Sequence, residues 1–162
     1  AERRKQQAEA DAARDREAAL ARPPGLPPQS QPKGQLQAPV AGRVVREWGA
    51  ATEAGPATGV SFQAAPDARV VAPCGGRVVF ADRFRSYGLL AIVDCGGGYH
   101  MVLSGFERLD ARAGQAVRAG EPLGAMPNWD PSQAGRRPAL YVELRQDGQP
   151  TNPLPWLRAG GG

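Results

Sequence analysis

The sequence predicts an all-β domain built on an antiparallel sheet and preceded by a short N-terminal helical arm. Three observations carry that prediction. From Pro39 onward, runs of five to eight residues rich in aliphatic and aromatic side chains alternate with clusters of glycine and proline, the texture of strands and turns. The chain holds 21 glycines and 16 prolines in 162 residues, which favours short strands over helices. Residues 1–22, by contrast, contain neither glycine nor proline and are almost all strong helix formers.

The elements follow in chain order. The arm, AERRKQQAEADAARDREAALAR (1–22), has mostly alanine at its apolar positions and no clean heptad, so it reads as the solvated tail of a longer helix. Pro23 and Pro24 end it, because proline lacks an N–H and clashes with the preceding turn. Residues 23–38, rich in Pro, Gln and Gly, form an extended linker. The folded domain spans 39–158, and residues 159–162 form a flexible tail. Within the domain, strands are expected at 42–48, 59–64, 69–73, 76–82, 89–95, 99–106, 122–126 and 140–145. RFRSYG (83–88) joins two of them as a hairpin loop, and the paired glycines of 111–124 mark turns at close strand crossings.

Composition excludes several function classes. The formal charge of +4 invites a nucleic-acid partner, but residues 1–38 hold seven basic and five acidic residues and residues 39–162 thirteen and eleven. The folded part is near balance, with no basic stripe interleaved with aromatics, so no nucleic-acid binding is expected. No stretch approaches the ~20 apolar residues of a membrane-spanning helix. With no starting Met and no signal peptide, the sequence is expected to be a fragment of a longer chain, and no targeting signal gives its compartment. The glycine turn VRAGEPLG also resembles that of lipoyl and biotinyl carriers, but these need a lysine at a hairpin tip, and the only lysines are Lys5 and Lys33.

Hydrolytic chemistry needs a nucleophile with its base, or a metal. The only histidine is His100 and the only thiols are Cys74 and Cys95. A zinc site from these three would lack the tight CxxC or HxxxH spacing of such centres, and His100 alternates with Tyr99 and Met101 in an apolar strand, as a structural histidine does. In RPALYVELR (137–145), Leu140, Val142 and Leu144 alternate with Ala139, Tyr141, Glu143 and Arg145. One face is aliphatic and suited to a core; the other carries an alanine, a tyrosine, a carboxylate and a guanidinium.

From Pro39 to Leu157 these runs, in their order, resemble the LytM (lysostaphin-type) zinc endopeptidase family, which cleaves peptidoglycan cross-bridges. PVAGRVVREWG resembles the family's opening strand, and TGVSFQAAPDARVVAPCGGRVVFA its HxGxD segment and the strands after it. YGLLAIVDCGGGYHMVLSGF resembles the hairpin that ends in Tyr-Ala-His-Leu. VRAGEPLG resembles the glycine turn, ALYVELR the HxHxE-type strand, and TNPLPWL the closing Asn-Pro-x-x-Trp-Leu. The resemblance implies a LytM-like antiparallel fold. It also places the family's first zinc histidine on Ala57, its aspartate ligand on Ser61, the Tyr-Ala-His-Leu histidine on Gly105, and the paired histidines on Ala139 and Tyr141. None of these holds Zn²⁺ as imidazole, thiolate or carboxylate would. Without the metal nothing lowers the pKa of a bound water, so no metal, no cofactor and no enzymatic activity are expected.

The resemblance is strongest to degenerate LytM proteins of the EnvC type. It implies a non-catalytic periplasmic activator of peptidoglycan amidases in cell division, with the arm as the end of a coiled coil that joins a division-site membrane complex. It further implies a groove that captures the regulatory helix of an N-acetylmuramoyl-L-alanine amidase. The expected partner-binding residues are Tyr141, Glu143 and Arg145 on the floor strand, Thr58 and Ser61 on the opposite wall, and Tyr87 at the rim hairpin. The alternative is a non-catalytic peptidoglycan-binding module, for which Trp48, Tyr87, Tyr141 and Trp156 are the few stacking candidates, with Trp156 expected in the core by the family pattern. Finally, Cys74 and Cys95 flank the hairpin between them at nearly equal distance from its centre, so antiparallel pairing would bring them together and an oxidising periplasm would permit a disulfide; the alternative is two buried free thiols.

Overall fold

The structure, a computed structural model, describes residues 35–132 and 137–158. The helical arm at 1–22, the first part of the linker and the tail at 159–162 lie outside the described residues. The fold is the expected all-β one. Thirteen strands run in the order β1 (Gly42–Arg46), β2 (Ala51–Thr52), β3 (Gly55–Pro56), β4 (Val60–Ala64), β5 (Arg69–Val71), β6 (Gly76–Arg83), β7 (Leu89–Gly96), β8 (Tyr99–Phe106), β9 (Arg108–Leu109), β10 (Ala116–Val117), β11 (Pro122–Ala125), β12 (Ala139–Gln146) and β13 (Gln149–Thr151). Single 3₁₀ turns occur at Arg85–Tyr87 and Leu154–Trp156. Among the described residues, no helix is long and apolar enough to cross a membrane.

The main sheet has the order β1-β4-β12-β8-β7-β6-β10, with β13 also paired to β12; β5-β11-β9 form a second sheet and β2-β3 a small hairpin. Every strand pair is antiparallel. The period-two alternation of β12 decides which face goes inward: Leu140, Val142 and Leu144 are fully buried, with Val60 and Phe62 of β4, Met101 and Leu103 of β8, and Ala91 and Val93 of β7 around them. Each such aliphatic side chain contributes about 1.5–3 kcal/mol when removed from water. A slip of one residue would send the whole set to the other face, so the register is strongly specified.

That register also fixes the opposite face. Tyr141 pairs with Ser61 on one side and Ser104 on the other, Glu143 with Val102, and Arg145 with His100. One edge of β12 is shared, β4 taking 139–142 and β13 taking 144–146, so Glu143 sits where one neighbour gives way to the next. At the far end Trp129 donates its Nε1–H to the Ala64 carbonyl (3.1 Å), and the Arg137 guanidinium lies 5.3 Å from the same indole ring. The approach to β12 is thereby anchored at the end of β4.

Gly105 is the extra residue of a bulge in β8: the β7 register passes from Leu89↔Phe106 to Leu90↔Ser104. Its φ is +116°, and a Cβ there would lie 2.6 Å from the Ala139 carbonyl oxygen. Both the dihedral and the contact demand glycine. Gly105→Ala is therefore expected to lower stability by about 2 kcal/mol, read as a fall in the urea midpoint at unchanged m-value.

The structure departs from the expected boundaries in definite ways. The domain begins inside the segment read as linker (23–38): Leu36 is 1% exposed. Its N–H donates to the Trp156 carbonyl and its own carbonyl accepts from the Arg158 N–H, flanking a parallel bridge to Leu157. A single buried leucine in a Pro/Gln-rich stretch gives no periodic signal. The run at 42–48 stops as a strand at Arg46, and that at 69–73 stops at Val71, ahead of Pro73. The two- and three-residue strands β2, β3, β9, β10 and β13 were not expected, because pairing partners create them and no local pattern does. Cys74, just after β5, is joined in a disulfide to Cys95 of β7 across a Cα–Cα distance of 5.6 Å. Both cysteines are buried in the core. His100, with its Nε2 4.0 Å from Asp94 Oδ1, lies on the sheet's other face, so these three residues do not form the zinc site that their types allow.

Candidate functional site

The non-core face of β12 is organised around Glu143. This carboxylate is only 6% exposed. Its Oε1 accepts hydrogen bonds from the Tyr141 hydroxyl (2.9 Å) and the Thr58 hydroxyl (3.0 Å). Its Oε2 accepts from Arg145 Nε (2.7 Å). The two hydroxyls, each directed at the same oxygen, lie 3.4 Å apart. A buried carboxylate is tolerated when its lone pairs are matched in this way. Strand alternation puts Tyr141, Glu143 and Arg145 on one face at two-residue steps, and Thr58 reaches them from the segment that leads into β4. Burial pushes the Tyr141 phenol up to about 12, with the Glu143 charge and hydrogen bond adding to the shift and the Thr58 contact opposing it.

Arg145 holds the outward end of the cluster. Its side chain is 40% exposed, and only Nε is engaged by Glu143. Among the described residues, neither Nη has a hydrogen-bond or ion-pair partner. The fork is thus oriented by one buried carboxylate and still presents two N–H₂ groups to an incoming group.

The expected site residues are distributed unevenly. Thr58, Tyr141, Glu143 and Arg145 come together. Ser61 stands beside Tyr141 on the adjacent strand of the same sheet, so it belongs to the floor and not to an opposite wall. Glu143, expected to meet a partner, is instead a buried hub whose oxygens are taken by internal donors. Tyr87 is 54% exposed in the 3₁₀ turn of the β6–β7 hairpin, stacked on Phe84 at 6.2 Å, and its phenol adds slightly to the field at Tyr141. Ala57 is buried, with its N–H and carbonyl bonded to Ala50 and Gly49. Ala139 pairs with Gln63, and Gly105 lies against its carbonyl. Sequence reasoning missed Gly59 and the buried Ser104. The glycine had a signal, since it stands on the glycine of the HxGxD segment between Ala57 and Ser61; Ser104 had none. Among the described residues, no group of three or more His, Cys, Asp or Glu could hold a metal ion. A depression on the β5-β11-β9 sheet, lined by Asp67, Arg69, Arg108 and Asp110, lies apart from this cluster and contains an Arg108–Asp110 ion pair.

The sequence profile of peptidase family M23 matches residues 55–153, from β3 to just beyond β13, and so takes in every residue of the cluster. The chain belongs to peptidase family M23. Among its relatives, the murein hydrolase activator EnvC of Escherichia coli (strain K12) is 35% identical over 128 residues, covering 78% of this chain and 30% of its own length. The murein hydrolase activator NlpD of the same strain is 28% identical over 129 residues, covering 79% of this chain and 32% of its own. This chain thus spans about a third of the length of these relatives. Among solved structures, the antimicrobial peptidase lysostaphin from Staphylococcus simulans superposes with a TM-score of 0.61 at 19% identity, over 75% of this chain and 51% of its own, a likeness of fold. The M23 domain therefore has relatives named as activators and fold neighbours named as peptidases. Its side chains have to distinguish the two.

Proposed function

We propose that this M23 domain is a non-catalytic activator of periplasmic peptidoglycan amidases in cell division. It seats the regulatory helix of an N-acetylmuramoyl-L-alanine amidase on the face of β12. The observation that supports this is the Thr58–Tyr141–Glu143–Arg145 cluster, built on the strand whose sequence resembles the family's HxHxE-type strand. Ala57, Gly105 and Ala139 have no side-chain donor, Ser61 offers a neutral hydroxyl, and a phenol raised to about 12 stays protonated near neutral pH. This donor set does not fit zinc, so it offers no metal to activate a water. The names of EnvC and NlpD as activators support the same reading. An amphipathic helix would lay its apolar side chains on the Tyr141 ring and the neighbouring floor. A carboxylate on that helix would meet the Arg145 fork. The arm at 1–22, as the end of a coiled coil, would carry the domain to a division-site membrane complex.

Two measurements test this. Elemental analysis of the purified, untagged chain should find no stoichiometric zinc, and the chain alone should release no fragments from dye-labelled sacculi. Added to each periplasmic amidase of the source organism in turn, it should accelerate release by at least one of them. Zinc at one equivalent with turnover by the chain alone would make it a peptidase. A second reading, a peptidoglycan-binding module, is favoured by the exposed ring of Tyr87, which could stack on a sugar. It predicts sedimentation with sacculi and no effect on any amidase.

A further inference from the structure

We propose that Gly59 is a positioning residue of the docking surface, its bare Cα being the seat that holds the Tyr141 ring in place for the partner helix. This rests on the docking reading above and adds to it the residue that sets the shape of the site. A Cβ built on Gly59 would lie 2.6 Å from Cζ and Oη of Tyr141 and 2.7 Å from Cε1, closer than real side chains approach. The hydroxyl end of the ring therefore occupies the space that a methyl group on Gly59 would take. From there its hydroxyl reaches Glu143 Oε1.

The direction in which the conflict would resolve is also on the structure. The atoms met by the added methyl are the far end of a side chain, and none is backbone. Gly59 is not among the positive-φ glycines, so alanine can adopt its backbone conformation and even restricts the unfolded chain. In Gly59→Ala the backbone stays and the ring leaves. The Thr58–Glu143 and Arg145–Glu143 bonds do not pass through the ring and persist. Alanine at 59 is thus a selective way of moving Tyr141 without deleting it.

The experiment uses the whole chain labelled with [¹³Cζ]tyrosine, the Tyr141 signal being assigned with Tyr141→Phe. In the wild type this signal should remain that of a protonated phenol at pH 11. In Gly59→Ala it should ionise near 10, the ordinary tyrosine value, because the ring has left its buried seat. Amidase activation on sacculi should fall by about tenfold with the melting temperature retained. Tyr141→Ala and Gly59→Ala/Tyr141→Ala should then activate equally poorly, since residues acting through one contact are not additive. An unchanged Tyr141 titration in Gly59→Ala overturns the proposal. So does activation that is kept in Gly59→Ala but lost in Tyr141→Ala. If activation survives in both, the docking reading itself falls, and the role of Gly59 in it falls too; the titration shift then records only a packing contact.

Discussion

Tyr141→Ala and Arg145→Ala are each expected to reduce amidase activation by roughly thirtyfold at sub-saturating concentrations of the chain, the effect of truncating an interface anchor worth about 2 kcal/mol. The reasons differ. Tyr141 offers ring area; its hydroxyl is already spent on Glu143, so Tyr141→Phe should retain most of the activation. Arg145 offers a half-exposed guanidinium pre-oriented by Glu143 at 2.7 Å through Nε. Part of the ordering entropy of the long side chain is thus lost before the partner arrives. Arg145→Lys should not restore activation, because a point charge cannot reproduce a fork held at one nitrogen and bonding through two others. Arg145→Ala also leaves the buried carboxylate one donor short, so it should cost some stability as well. Circular dichroism and a thermal melt separate that loss from a loss of docking. Wild-type activation in both alanine variants would move the docking surface elsewhere and put the glycan-binding reading ahead.

Removing the Cys74–Cys95 disulfide is expected to cost about 3 kcal/mol, from the loop-closure entropy of a 21-residue separation. For a domain of this size that is on the order of a 10 °C fall in melting temperature. Cys74→Ala/Cys95→Ala is the cleaner test, since both sulfurs lie in the core at 1% and 2% exposure and a serine there would add a buried hydroxyl. Mild reductant should act slowly on the folded chain and quickly on the unfolded one, because thiolate attack needs access to a sulfur. Thiol titration of the unfolded, unreduced chain should find no free cysteine. Two reactive thiols, or a double variant as stable as the parent, would refute the bridge as a stabilising element.

The fold class, the long strands and the inward face of each were legible in local patterning. A period of two in residues such as Leu140, Val142 and Leu144 leaves one arrangement that buries them, and local patterning is enough to state it. The absent residue types were legible too: a domain with one histidine and two cysteines carries that fact in its composition. The sequence reading placed Tyr141, Glu143 and Arg145 on one face, but it could not say that Glu143 turns from that surface into a buried hub. That depends on Thr58 arriving from a segment 85 residues away, a separation that no local pattern encodes. The burial of Leu36, the bulge at Gly105 and the contact of Gly59 with the Tyr141 ring are likewise tertiary decisions. Each is made by a distant backbone or ring that fills, or forbids, the space beside a single residue, and such space exists only once the sheet has closed around it.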